Sequence, residues 1–437
     1  MLRAVGAGLA VGIAMLCGCG GDRKDGIVGP PSPAQIVTAG GEDQVAYVAH
    51  PVPFPLAVIV KNSDGSPATG ISVKWDVTKG GGTVSGSSGL TDSEGRVWVS
   101  WTLGNTVGTQ TVAASTPGFN VSPATFSATS KALPIVLHYN GTAWDTMLAD
   151  TTNVEVVLTS IWGTGPSNIV AVGRCRRNKL IMTFDGNRWT PTAPCAGIPA
   201  GGTFNETYTS VWGSSASDVF AVRQFPQANF NNVGIDHFNG QSWTQTYTRL
   251  CSGCTLAVRA VWTGAPGTAI SVGEAGSILR FNGTAWNSEA SGTTAHLRAV
   301  WGASATGPVF AAGDAGTILV NSGSGWTAQV SGTTQPLYAV WGTSASDVFA
   351  VGGAGTILHY NGTSWSSQTS GSTQLLRSVW GSAGNSVFAV GDNTTILRYD
   401  GSSWTPQAVN GTPSPSMDLT GVWGASASNV FAVGVAK

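Results

Sequence analysis

The chain has 437 residues, of which only 10% are charged, and its net charge is -1. So small and balanced a charge gives no global field that would point to nucleic acid or to an anionic membrane surface. With 60 glycines and 17 tryptophans, and no long apolar periodicity of the helical kind, the composition predicts an all-β chain of many short strands, long enough for two or more domains.

In chain order, "MLRAVGAGLAVGIAMLCGCGGD" sets Arg3 before an apolar run too short to span a bilayer, the layout of an export signal. The run ends in Leu16-Cys17-Gly18-Cys19, which resembles the lipobox of bacterial lipoproteins. That resemblance implies a signal peptide over residues 1–18 and a lipidated Cys19 as the mature N-terminus. Cleavage before Cys17 would place the bulky Leu16 at the cut, and an ordinary secretory signal with incidental cysteines is the other alternative. Residues 19–35, rich in glycine and proline, form a tether.

Residues 36–130 alternate as half-buried strands do, in "ISVKWDV", "RVWVSWTL" and "TQTVAAS", with turn signals such as "NSDGSPATG" and "DSEG" between them. This pattern predicts a β-sandwich. The segments Asp64 to Val77, Thr91 to Trp101 and Gly108 to Ala114 resemble bacterial immunoglobulin-like domains of the invasin/intimin kind, with Trp75 where a phenylalanine is usual. The resemblance implies a spacer.

From Thr159 to the C-terminus, within a unit read as residues 134–437, a motif "VWGxSASxVFAVG" followed by "GTILxYNGxSW" recurs. Its first tryptophan falls at Trp162, Trp212, Trp262, Trp301, Trp341, Trp380 and Trp423, and its second at Trp189, Trp243, Trp286, Trp326, Trp365, Trp404 and, out of order, Trp144. A period near 40 residues with four short strands predicts propeller blades. Strands A to D of blade 5 are "YAVWG", "VFAVG", "TILHY" and "SWSSQ", and Asn361-Gly362 is expected as a two-residue hairpin turn between C and D. Blade 4 departs there, with "NSGSG". The split copy predicts a seventh blade that takes strands A and B from 419–434 and strands C and D from 135–147. Such a two-plus-two clasp closes a circular sheet, with an open solenoid as the alternative.

The repeat resembles the seven-bladed propellers related to photosystem II assembly factors and, more distantly, Asp-box (BNR) repeats. Gly362, Ser364 and Trp365 match the Asp-box, but Tyr360 stands in the aspartate position and no other blade restores the acid. The likeness therefore implies fold more than activity.

Candidate sites are the departures from the repeat. Arg259, Arg298, Tyr338 and Arg377 each precede the first tryptophan by three residues, near one mouth of the central channel. Such arginines could clamp a carboxylate or phosphate. However, Glu274, Asp314 and Asp392 fall in the B-to-C loops of the same three arginine-bearing blades, which predicts intrablade ion pairs instead. His138, His237 and His359 sit two residues before the turn, in register for the surface of strand C. Blades 1 and 2 carry insertions in their B-to-C and D-to-A loops, all on one side of one face. Arg176, Arg177, Lys179, Phe225 and Phe230 in them, together with Tyr338 at the channel mouth, are the candidate ligand-binding residues. The insertions also hold Cys175, Cys195, Cys251 and Cys254, expected to be oxidised in an exported protein. Of three possible pairings, Cys175 with Cys195 and Cys251 with Cys254 is favoured.

No metal, cofactor or nucleotide motif is present. The expected protein is an envelope lipoprotein, in the outer membrane or at the cell surface, whose propeller binds a glycan or an envelope or extracellular protein without catalysis. A sialidase-like glycosidase and an assembly scaffold are the rivals.

Overall fold

The computed structural model describes residues 32–436 apart from 49, 105, 107, 132–133, 148–155, 176–177, 193–205, 227–230, 252–257 and 411–415. Cys19 lies outside the described residues, as does almost all of the tether. The first strand, Pro33–Gly40, begins inside the stretch read as tether, because Gln35 already pairs with Lys61.

Two larger sheets and one short two-stranded pair make the first unit. One joins Pro33–Gly40, Leu56–Asn62 and Arg96–Val99; the other runs Gln44–Tyr47, Ala124–Lys131, Gly108–Ser115, Ser72–Lys79, Ser88–Leu90. The pleat sends alternate side chains inward: Val97, Val99 and Trp101 are buried, whereas Trp98 between them is 59% exposed. Trp75 meets Phe126 at 5.8 Å in the core. The run from Arg96 to Leu103 divides at Ser100, after which Trp101–Thr102 pairs with Thr83–Val84.

The rest of the chain forms seven four-stranded antiparallel sheets whose innermost strands pack on one another in a closed ring. Blade 7 takes Met417–Ser426 and Asn429–Ala436 as strands A and B, and Pro134–Tyr139 and Trp144–Met147 as C and D. Ile135 faces Gly434 and Tyr139 faces Val430 across the join. The protein is thus an immunoglobulin-like sandwich followed by a seven-bladed β-propeller closed by a two-plus-two clasp. Among the described residues no helix is long and apolar enough to cross a membrane.

Two side-chain layers weld neighbouring blades. At the blade 5–6 junction, strand B Phe349 packs on strand C Tyr399 (5.6 Å) and strand D Trp404 (6.1 Å) of the next blade. Phe310, Phe388, Phe431 and Phe220 repeat the arrangement. Nearer the axis, six of the seven strand A tryptophans lie over a glycine of the following blade. A methyl group on Gly342 would come within 2.9 Å of the Trp301 ring and 2.5 Å of the Asp347 carbonyl oxygen. Gly342→Ala should therefore cost about 1–3 kcal/mol, measured as a lower denaturation midpoint at constant slope. An unchanged midpoint would refute this packing. Blade 3 has Thr263 in place of the glycine, and there Trp212 donates its indole N–H to the Thr263 carbonyl at 3.2 Å.

The C-to-D connection differs from the two-residue turn expected. In blade 5 Tyr360 pairs with Trp365, leaving four residues in the loop, and of Asn361 and Gly362 only the glycine has positive φ (93°). The Asn361 side chain decides this, because its Oδ1 accepts the amides of Thr363 and Ser364, each at 3.0 Å.

Candidate functional site

The channel mouth is ringed by Thr159, Thr209, Arg259, Arg298, Tyr338, Arg377 and Thr420 around about 160 Å³ of space. Strand A begins where strand B ends, which brings each arginine against the acid of its own blade. Arg259 donates to Glu274 at 2.6 Å. Arg298 is forked on Asp314, and Arg377 on Asp392, with second contacts of 3.1 and 3.2 Å. The Arg298 guanidinium also lies 4.6 Å from the Tyr338 ring centroid. Burial opposes its charge, but the hydrogen bond to Asp314 and the other nearby acids more than compensate and hold its pKa above the ordinary value. None of the described residues lining the channel is an aspartate or glutamate. All three arginines are thus occupied.

The histidines are less exposed than their register suggested. His237 and His359 lie 2.7 Å from Asp218 and Asp347 of the A-to-B turn, and His138 lies 2.9 Å from Asn429. Each ring stacks on the strand B phenylalanine beside it, at 4.1, 4.4 and 4.6 Å from Phe220, Phe349 and Phe431. They tie the turn to strand C.

The insertions of blade 2 are not merely loops. Strand B extends over Asp218–Pro226, C over Asn231–Phe238 and D over Trp243–Cys251, so Phe225 stands opposite Asn232 in a continued hairpin. The cause is that the added residues keep pairing. Arg176, Arg177, Phe230, Cys195 and Cys254 lie outside the described residues. Cys175 closes strand B of blade 1 and is buried.

Beneath these lengthened strands is a polar network that the motif reading missed. Asp236, 3% exposed, accepts from Lys179 at 2.7 Å and from the Tyr208 hydroxyl at 2.6 Å, and lies 3.2 Å from Arg223 Nε. Arg223 also donates to Glu206 at 3.3 Å. Lys179, expected as an open cation, is drawn into this network and covers the Tyr208 ring at 5.4 Å. Burial pushes the Tyr208 hydroxyl pKa far up, with Asp236 adding to the shift. Burial likewise raises Glu206, against the pull of Lys179 and Arg223. A signal was available in the blade alignment. Where blade 5 has Leu337, Gly352 and Leu358, blade 2 has Tyr208, Arg223 and Asp236, and Gly234 replaces Thr356. That last exchange makes room, since a Cβ on Gly234 would lie 2.6 Å from Arg223 Nε.

Among the described residues no three His, Cys, Asp or Glu side chains gather as metal ligands. In comparisons with known proteins, residues 42–130 match the family model "Macroglobulin domain MG4", a different family from the invasin/intimin likeness but also immunoglobulin-like. No curated protein matches the sequence. A structure titled "YCF48 bound to D1 peptide" superposes with TM-score 0.50 and 16% identity over 65% of this chain and 90% of that one. YCF48 from Cyanidioschyzon merolae gives 0.48 and 18% over 65% and 95%, and the WD40 propeller domain of Doa1 gives 0.48 and 12% over 69% and 96%. At such identities the first of these likenesses shows the propeller fold alone.

Proposed function

We propose that this chain is a non-enzymatic binding protein that takes a peptide segment of a protein partner on the blade 1 and 2 side of its propeller. The observation that carries this reading is the buried network of Lys179, Glu206, Tyr208, Arg223 and Asp236 under the lengthened strands of blade 2. Such a network yields little net stability compared with the apolar residues that the repeat places there, but it fixes side chains and strand ends in one geometry. A recognition surface needs such a rigid base. Peptides are the first ligand class to test because YCF48, a propeller of the same fold, is seen with a D1 peptide. The paired arginines support binding over sialidase-like hydrolysis, which would need a tyrosine nucleophile with a glutamate base beside it, and among the described residues lining the channel no glutamate accompanies Tyr338.

On this reading, lipid on Cys19 holds the protein at the cell envelope, outside the membrane. Cys175–Cys195 and Cys251–Cys254 bonds pin the insertions. Peptide mapping without reductant should find those two links, and any crossed pair would refute the assignment.

The binding test uses residues 22–437 on an array of envelope and secreted peptides beside a glycan array. A variant with Arg176, Arg177 and Phe230 changed to alanine serves as the comparison. Saturable peptide binding weakened about tenfold or more in the variant, on the order of 1.4 kcal/mol, is the expected result. Binding that survives the substitutions would move the site, and binding to glycans alone would replace the peptide reading.

A further inference from the structure

One of the seven blade junctions is unfilled. Wherever strand B carries phenylalanine, that ring packs against an aromatic residue of strand C in the next blade, as Phe310 does on Tyr360 and Phe388 on Tyr139. Between blades 1 and 2 the strand B ring is replaced by Val170, but Phe238 keeps the strand C ring. Between blades 3 and 4 both rings are missing: the register puts Ile270 at the phenylalanine position and Asn321 at the tyrosine position. The result is a cavity of about 620 Å³. It opens on the side of the A-to-B and C-to-D turns, opposite to the insertions.

Its walls are Trp262, Ile270, Trp326, the Arg280 and Glu289 side chains, and the glycine-rich turn containing Gly323 and Gly325. Asn321 is 9% exposed and lines the cavity. Its Oδ1 accepts the Gly323 amide at 2.8 Å. Glu289 is held in place by Arg280 and by the Trp326 indole N–H at 2.7 Å. Burial alone would raise its pKa, but those two hydrogen bonds keep it below the ordinary carboxylate value.

The protein itself shows what belongs in this space. Arg398 is the blade 6 counterpart of Arg280, and it donates to the Tyr139 hydroxyl at 2.9 Å while lying 5.6 Å from the Tyr139 ring centroid. That hydroxyl in turn donates to the Gly141 carbonyl at 2.8 Å, the position that Gly323 holds in blade 4. The blade 3–4 gap therefore retains the tryptophan wall, the arginine and the glycine turn of a tyrosine socket, without the tyrosine. We infer that this gap is a second binding site, independent of the blade 1 and 2 surface, which accepts a tyrosine side chain from a peptide partner. Its volume lies within the roughly 300–1,000 Å³ of small-ligand sites. Arg280 selects for the hydroxyl by hydrogen bonding and faces the ring as a cation.

The test is saturation-transfer NMR on the full chain in detergent micelles, with N-acetyl-tyrosinamide, N-acetyl-phenylalaninamide, N-acetyl-leucinamide and methyl glucoside as probes. The tyrosine probe should saturate several-fold more strongly than the leucine probe. That difference should vanish in Asn321→Tyr, which restores the repeat residue, and in Ile270→Phe, which fills the gap from the other wall. Arg280→Leu should leave tyrosine and phenylalanine probes equal. Equal signals from the tyrosine and leucine probes, or a tyrosine signal untouched by both filling variants, would overturn the proposal. So would a glucoside signal lost in the same variants, which would make the gap a sugar site.

Discussion

Arg223→Ala will destabilise the propeller by about 3–5 kcal/mol, seen as a large fall in the chemical denaturation midpoint. The guanidinium lies between Asp236 and Glu206 with only 8% of its side chain exposed. Truncating it takes the ion-pair partner from Glu206 and leaves Asp236 with Lys179 alone to balance its charge, and the cost is chiefly that of the broken buried pairing. The sharper part of the prediction is a contrast. Replacing Tyr208, Arg223 and Asp236 together by leucine, glycine and leucine, the residues of blade 5, should cost much less than the single change, because the buried cation and the buried acid leave together and Lys179 and Glu206, the more exposed members, are left to water. If the triple variant is as unstable as the single one, the network contributes stability in its own right and the argument for a rigid recognition base fails. The same triple variant should weaken peptide binding while leaving the fold intact.

The network also predicts a pH dependence. Burial raises the Glu206 carboxyl above its ordinary 4.5, so folding favours its protonated form. Its contribution to stability is fully present below that ordinary value and is lost as pH rises through the raised one. Glu206→Gln should flatten that step when denaturation is followed between about pH 4 and about pH 7. A step of equal size in both proteins would place its origin in another group.

Removing Asn429–Ala436 should abolish cooperative folding of the propeller. This strand bonds Pro134–Tyr139 on one side and Met417–Ser426 on the other, so its loss breaks blade 7 between its N-terminal and C-terminal halves. The exposed edges of both halves would then invite association. Size-exclusion chromatography should show aggregates, and denaturation should lose its sharp transition. A milder probe is Phe431→Ala. Phe431 is 2% exposed and meets His138, Phe184 and Trp189, so truncation should cost about 3–5 kcal/mol. Hydrogen exchange should speed first at Pro134–Tyr139 and Asn429–Ala436. Uniform loss of protection across all blades would mean that the ring unfolds as one unit and that the clasp is no weaker than the other junctions.

The sequence determined the fold because propeller strands are local and periodic. Tryptophans near every fortieth residue, alternation of period two and Asn-Gly or Asp-Gly signals each depend on a few neighbouring residues, and the displaced copy at Trp144 was enough to predict the clasp. The arginine and acid positions of blades 3, 4 and 6 could be related in the same way, since each pair lies within one blade. The turn type was misread because a side-chain acceptor, Asn361 Oδ1, outweighed the φ preference of the dipeptide.

Only the tertiary structure decided what forms between blades. Lys179 and Asp236 are 57 residues apart and meet across the blade 1–2 junction. Ile270 and Asn321 belong to different blades, and each looks like a harmless departure until Phe310 and Tyr360 show that these two positions share one space. Aligning repeats compares like with like inside a blade, whereas packing joins strand B of one blade to strands C and D of the next. A charge that suits neither its strand nor its repeat is therefore explained only when its neighbour's opposite charge is brought beside it.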